Sequence, residues 1–489
     1  MDNSNDITMD KFMIHGNIMI HGSFNDPWIS IHEGVAMEDR SSTRSLVNGS
    51  RRRQLLVGAA ASALSLPLYG QSAVPYALKA GKPFAGTKLR VLAAVAPQFD
   101  GLMLRGPEFT ALTGIEVQWD FVPFTALQDK IAATGVAADG MYDVVNYSDT
   151  WLAPNEYWLL RLDPLIKRDA VAMSRYPKAF AEAGTFNGEV VGLPVRSHVQ
   201  LFFYRADIFK ALGLNAPRSW DDVIAAGKAI RAKRPDIEPL ALNYHNDGTR
   251  VNLQHWLQMV WSNGGQLFDG QMKPAWTSEA ALQATEFYIG LHTKEKIANP
   301  ASVSFGQEEA RLSFQQGKSA MLPMWWWQYS PSISPKDSVL KPEQVAFTSV
   351  PSYNGRSVAL ASSMPFSISK HSKRPDAAWE FLKWLSNPDL DRRNAIERTV
   401  AGRTIQNNVV NHSATLADPD VNAANAGVPL AGLKSLELAS VQPKLREWPE
   451  VGDLLAAAIE RSAAGGNVRK LMTDAADAAS KVLKRAGYF

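Results

Sequence analysis

Lys88-Leu89-Arg90-Val91-Leu92-Ala93-Ala94-Val95-Ala96 is a mostly apolar run with β-branched members, closed by Pro97. Such a run predicts a buried strand. Outward from it, residues 99–112 have helical spacing and stop at Thr113-Gly114, and 115–122 alternate as a strand closed by Pro123. Residues 127–138 predict a second helix and 143–147 a third strand. Strands alternating with helices in this order imply a parallel, doubly wound sheet and an α/β fold. In such sheets ligands bind beyond the carboxyl ends of the strands. Those ends are Gln98-Phe99-Asp100 and Tyr147-Ser148-Asp149-Thr150-Trp151, which makes Phe99, Tyr147, Asp149 and Trp151 candidate ligand-binding residues.

Further along, Gly188-Glu189-Val190-Val191-Gly192-Leu193-Pro194 reads as a turn, a strand and a stop, and 199–204 as a second apolar strand. Ser219 is placed to cap a helix beginning at Trp220, with Asp221 and Asp222 in its first turn. Residues 307–316 predict a helix and 320–324 a strand. Pro375 opens another helix, where its missing N–H costs nothing. Ala378, Phe381, Leu382 and Leu385 follow at helical spacing, and Asn387-Pro388 ends it. Two amphipathic faces close the chain, one on Val451, Leu454, Leu455 and Ala458, the other on Leu471, Ala475, Ala478 and Val482. No internal repeat interrupts this order.

At 489 residues the chain exceeds one ordinary core, so two domains or more are expected. Hydrophobic residues make up 46% and charged ones 20%, the composition of a globular protein. The net charge of +3 comes from mixed signs, without the clustered basic face that nucleic-acid binding needs. The lack of cysteine excludes disulfides, iron–sulfur clusters, thiol catalysis, zinc–cysteine sites and a lipidated N-terminal cysteine. No dinucleotide glycine motif follows a strand. Gly317-Lys318-Ser319 imitates the tail of a phosphate loop, but Leu312 stands where the cradle needs glycine. His198, His245 and His255 lack metal-ligand spacing, so neither metal nor cofactor is expected. Most of the 14 tryptophans belong in the core, and a few are candidates for flat platforms under a ligand ring.

Residues 1–50 show no sustained hydrophobic period and read as a disordered extension, or as a start placed too early, with Met37 the alternative first residue. Arg51-Arg52-Arg53-Gln54-Leu55-Leu56, an apolar run over 57–69 and small residues near Gly70 and Ser72 make a signal peptide over 51–72. The run is shorter than the roughly 20 residues of a membrane span. The paired arginines resemble the twin-arginine variety and point to a periplasmic protein.

Four segments together resemble the maltose-binding-protein-like family 1 extracellular solute-binding proteins. They are Asn187-Gly188-Glu189-Val190-Val191-Gly192-Leu193-Pro194 with Phe202-Phe203-Tyr204-Arg205; Ala206-Asp207-Ile208-Phe209-Lys210-Ala211-Leu212-Gly213-Leu214 leading into Pro217-Arg218-Ser219-Trp220-Asp221-Asp222; Phe314-Gln315-Gln316-Gly317-Lys318-Ser319-Ala320-Met321; and Ser369-Lys370 through Arg374-Pro375-Asp376-Ala377-Ala378-Trp379-Glu380-Phe381-Leu382. Each is weak alone; their order and spacing carry the likeness, from about Lys88 to the C-terminus. The resemblance implies a two-lobed periplasmic-binding-protein fold, with doubly wound sheets joined at a hinge near 195–199 and 351–353. The lobes would be 84–196 plus 351–408, and 197–350 plus 409–489. It further implies capture of a small carbohydrate between the lobes, hinge closure, and delivery by a monomer to the membrane permease of an ABC importer, with no enzymatic activity.

Carried over position by position, Tyr147 and Asp149 would meet sugar hydroxyls, or else cap their loop. Trp327 would stack on a sugar ring. Along a strand Trp325 would share its face and narrow the cleft, leaving Trp326 to the core. His198 stands where relatives have a carboxylate. With Arg196 beside it, it could instead attract an acidic group on a sugar acid or glycerophosphate, or simply pack the hinge. Trp448 occupies an aromatic position beside the cleft, with interlobe packing as the alternative. Asn252, Gln254 and Arg403 are further candidates, as are Ser362 and Ser363. The rival class is an exported polysaccharide-acting enzyme, with Asp149 and Glu308 or Glu309 as paired carboxylates.

Overall fold

The computed structural model describes residues 75–405 and 407–489; the extension expected over 1–50 and the signal expected over 51–72 lie outside them. The first strands are β1 (Lys88–Ala94), β2 (Glu116–Val122) and β3 (Val144–Asn146), with β2 and β3 parallel to β1 on either side. The chain between β1 and β2 forms two helices, Pro97–Leu104 and Gly106–Thr113, rather than one over 99–112. Pro107 has no N–H to continue the helical ladder, so the second helix starts afresh after Arg105. Gly114 ends it at φ 71°, where a Cβ would come within 2.7 Å of Ala85.

The hairpin β4 (Thr185–Phe186) and β5 (Glu189–Val190) turns through Asn187-Gly188, both at positive φ. After it come β6 (Leu193–Arg205), β7 (Glu238–Leu240), β8 (Ser319–Trp325), β9 (Val345–Ser349) and β10 (Ala359–Ile368). Two short strands, β11 (Thr399–Val400) and β12 (Arg403–Thr404), form a separate hairpin, and β13 (Ala439–Ser440) pairs with β10. The main sheet runs β2-β1-β3-β10-β6-β8-β7, with β9 on β6.

β6 runs through Pro194 instead of stopping there. Its antiparallel partner β10 shifts register between Met364 and Phe366, opposite that residue, so no regular ladder bond is missed. β6 and β10 pair with each other over 196–199 and 361–364. Beyond that stretch β10 joins β3 in the first lobe, while β6 lies between β8 and β9 in the second. Sequence reading put a lobe boundary at 351 and the return of the chain to the first sheet near 357–368. Ser352 instead bridges Ser219, and its carbonyl accepts the Trp220 N–H at 2.9 Å. The chain rejoins the first sheet within β10, through its pairing with β3.

The first-lobe core packs the helix Pro375–Leu385 on the sheet, with Phe109 edge-on to Phe381. The second-lobe core gathers Trp256, Trp276 and Trp448 with the C-terminal helices Trp448–Ala463 and Val468–Arg485. Ser219 caps the helix Trp220–Lys233 in a full capping box with Asp222. Among the described residues no helix is long and apolar enough to cross a membrane.

Candidate ligand-binding site

Side chains alternate along β6, so Arg196, His198 and Gln200 share one face. Directly paired residues share that face too: Met364 opposite Arg196, Ser362 opposite His198, Trp325 opposite Gln200. The row runs from one lobe to the other along the paired strands. Asp149 joins it from the turn after β3. Its Oδ1 accepts from the Ser362 hydroxyl at 2.8 Å and from the Thr150 N–H at 3.1 Å. Its Oδ2 is buried and has no partner among the described residues. Burial pushes this carboxyl up to about 6, against the Ser362 hydrogen bond and the Lys444 charge.

His198 is buried next to Ser362. The Trp326 indole N–H lies 3.3 Å from its Nδ1 and 3.1 Å from the Ser197 carbonyl. Burial, then the nearby Arg196 charge, holds the imidazole well below its ordinary value, so it is neutral. Since Nδ1 accepts, Nε2 carries the proton, and this donor has no partner among the described residues. The Trp325 ring sits 5.9 Å from the imidazole. Arg196 is half-buried. Its Nε donates to the Gln98 side-chain oxygen at 3.0 Å, and its Nη1 meets the Met364 sulfur. Burial lowers its guanidinium to about 10, which still leaves it charged at neutral pH.

Gln200 anchors a buried network under the second-lobe side. Its Nε2 donates to Gln254 Oε1 at 3.0 Å, while its Oε1 lies 3.1 Å from His255 Nδ1 and accepts from Gln258. His255 Nε2 is 3.0 Å from Asn243, and burial lowers this imidazole to about 3. The network fixes the direction in which Gln200 presents its amide.

The structure therefore brings together Asp149, Arg196, His198, Gln254, Trp325 and Ser362 from the sequence candidates. It places the others elsewhere. Phe99 is buried in the first-lobe core, edge-on to Phe366 at 5.3 Å; its neighbour Gln98 reaches Arg196 instead. Tyr147 is turned inward, its hydroxyl 3.0 Å from the Ser367 hydroxyl and crowded against Gly192. Trp151 packs on Phe124 at 4.9 Å. Asn252 spends both amide hydrogens on the Tyr244 and Ala456 carbonyls. Arg403 is exposed on the β11–β12 hairpin. Trp448 is in the second-lobe core, its indole N–H donating to Gln442 at 3.1 Å. β8 ends at Trp325 and a 3₁₀ turn, Trp326–Gln328, follows, so strand alternation does not relate Trp325 to Trp327. Trp327 is half-buried against the hinge core, and Trp326 is wholly inside it.

Gln98, Gln200, Met364 and Lys444 were missed by sequence reading. Alternation from His198 points to Gln200; nothing in the local pattern marks Lys444. Its ammonium donates to the Glu182 and Thr185 carbonyls of the first lobe, the latter at 2.8 Å. Glu308 is paired with Arg311, and Glu309 accepts the Gly306 N–H. Among the described residues no cluster of His, Asp or Glu is placed to hold a metal.

Residues 93–390 match the bacterial extracellular solute-binding protein family, and the chain belongs to it. A probable amino-acid ABC transporter periplasmic-binding protein of Sinorhizobium fredii is 25% identical over 90% of this chain and 99% of its own. An Agrobacterium radiobacter ABC transporter solute-binding protein in complex with ribitol is 23% identical, covers 82% of this chain and 100% of its own, and has a TM-score of 0.68. Maltose-bound MalE3 of T. maritima is 22% identical, covers 81% and 100%, and has a TM-score of 0.69. These likenesses fix the fold as that of two-lobed binding proteins, and the protein is an ABC-type solute-binding protein.

Proposed function

We propose that this protein captures a small carbohydrate or polyol between its lobes and hands it to the membrane permease of an ABC importer. The observation that carries the reading is the polar row on the crossing strands. Asp149 offers a buried acceptor and His198 a buried donor, neither with a protein partner among the described residues, beside the Trp325 ring. Adjacent hydroxyls donate to carboxylates and accept from imidazole N–H groups, while the C–H face of a sugar packs on an indole. The ribitol and maltose of structural relatives are of this chemistry. In the same reading the chain is exported by the twin-arginine signal at 51–72 and works in the periplasm as a monomer. The first lobe comprises 84–196 and the chain from the β10 crossing to 408, and the second lobe 197 to that crossing plus 409–489.

Calorimetric titration with monosaccharides, disaccharides and polyols tests the reading. A ligand that binds only the folded state raises the melting temperature by mass action. Binding without product formation is expected. A product released from a sugar polymer, or binding confined to non-carbohydrate solutes, would refute it. Mass spectrometry of the exported protein tests cleavage near Ser72.

A further inference from the structure

Other buried cations in this fold are matched by carboxylates. Arg105 contacts Glu108 and Glu397, Lys383 contacts Asp169 and Glu380, and Arg205 contacts Asp207. Arg196 is half-buried and, like the half-buried Arg175 and Arg398, has no carboxylate partner; of the three it alone stands in the polar row on the crossing strands. Its contacts are an amide oxygen and a thioether, and no ion pair to it occurs among the described residues. Lys444, the other cation by the site, spends its hydrogen bonds on two backbone carbonyls. Lys444 thus faces two carboxylates, Asp149 and Glu182, while Arg196 faces none and His198 is neutral. Taking an unpaired guanidinium out of water is costly, and the cost is recovered when an anion docks on it.

Resting on the proposed capture of a polyhydroxylated solute, we infer that the ligand is a polyhydroxy acid whose anionic group docks on Arg196. The guanidinium presents a planar fork that fits the two oxygens of a carboxylate. His198, with its free Nε2–H, lies two residues further along the same strand face, a backbone rise of about 7 Å. That is the reach from an acid group to a hydroxyl on the same small ring, and Asp149 Oδ2 then accepts from the hydroxyls beyond. A uronic or aldonic acid carries one negative charge, which matches the single unbalanced charge of Arg196. A doubly charged phosphate ester matches it less well.

Calorimetric titration with matched pairs decides the matter: glucose and glucuronate, galactose and galacturonate, sorbitol and gluconate, glycerol and glycerol 3-phosphate, with glutamate and glycine as zwitterionic controls. At least one carboxylate is expected to bind about tenfold or more tighter than its neutral counterpart. Arg196→Gln is expected to bring the two within about twofold, with Arg196→Lys keeping part of the preference. Ligand-free melting temperatures show that both variants fold. If neutral members bind as tightly as the acids, or if Arg196→Gln keeps the preference, the acid inference falls and carbohydrate capture stands. Tighter binding by glycerol 3-phosphate than by any carboxylate assigns the anion to phosphate and overturns the charge match. Binding by the amino acids alone, or by no member of the panel, overturns both readings.

Discussion

A buried carboxyl with one oxygen lacking a partner favours its neutral form, which is why Asp149 rises from 3.8 to about 6. The folded value lies above the unfolded one. Between them the folded state holds a proton that the unfolded chain has released. Stability from this group is therefore full below about pH 4 and lost as pH rises through about 6. Asp149→Asn is expected to raise the melting temperature of ligand-free protein near pH 7 and to leave it nearly unchanged near pH 4. Thermal melts at the two pH values check this; an equal effect at both would remove burial as the cause. Ligand hydroxyls donate to the ionised form, so affinity should weaken as pH falls below about 6. At this scale the sequence was half legible. Strand ends point to the right loops, but which side chain faces the crossing strands depends on helix phase, and so Gln98 rather than Phe99 reaches Arg196.

β6 and the turn after β8 show how elements set the site. Local punctuation was read correctly where the cause is local: the Ser219 capping box and Pro375 at a helix start both follow from one or two backbone groups. It misled where a partner strand decides. Pro194 stops nothing because β10 is irregular opposite it, and Trp326 leaves strand geometry because β8 has already ended. The helix Val428–Leu436 locks this turn in place. A Cβ on Gly432 would come within 2.4 Å of the Trp326 ring, whose indole N–H sets the proton position on His198. Gly432→Ala is expected to cost about 1–3 kcal/mol in denaturant unfolding by overpacking. It should also weaken ligand binding, since Trp326 must shift. Unchanged affinity in a destabilised variant would separate Trp326 from His198 positioning.

Across the whole molecule the lobes are tied at more than the crossing strands. Asn411 accepts the Ser197 N–H at 3.0 Å and donates to the Val195 carbonyl at 2.8 Å, holding a third connection to the hinge. On the far side Lys444 reaches the Glu182 and Thr185 carbonyls, and Arg446 meets Glu156 at 3.0 Å. These long-range ties were invisible to sequence reading, because no local period encodes them. Replacing both Lys444 and Arg446 by Met removes the second clasp while leaving the hinge. Small-angle scattering of the ligand-free variant should show a larger radius of gyration than the unaltered protein. Saturating ligand should reduce it again by supplying contacts to both lobes. Identical profiles for the two proteins would mean that the clasp adds nothing to closure.

Trp325, Trp326 and Trp327 stand at this seam in three different surroundings: one beside the His198 imidazole, one sealed in the hinge core, one half-buried at its margin. The molecule thus carries a built-in optical gauge. Emission from the sealed indole is expected to stay constant while that of Trp325 follows whatever enters the space next to it. Replacing Trp325 alone by Phe would identify its share of the signal, with no dye and no label to disturb the crossing strands.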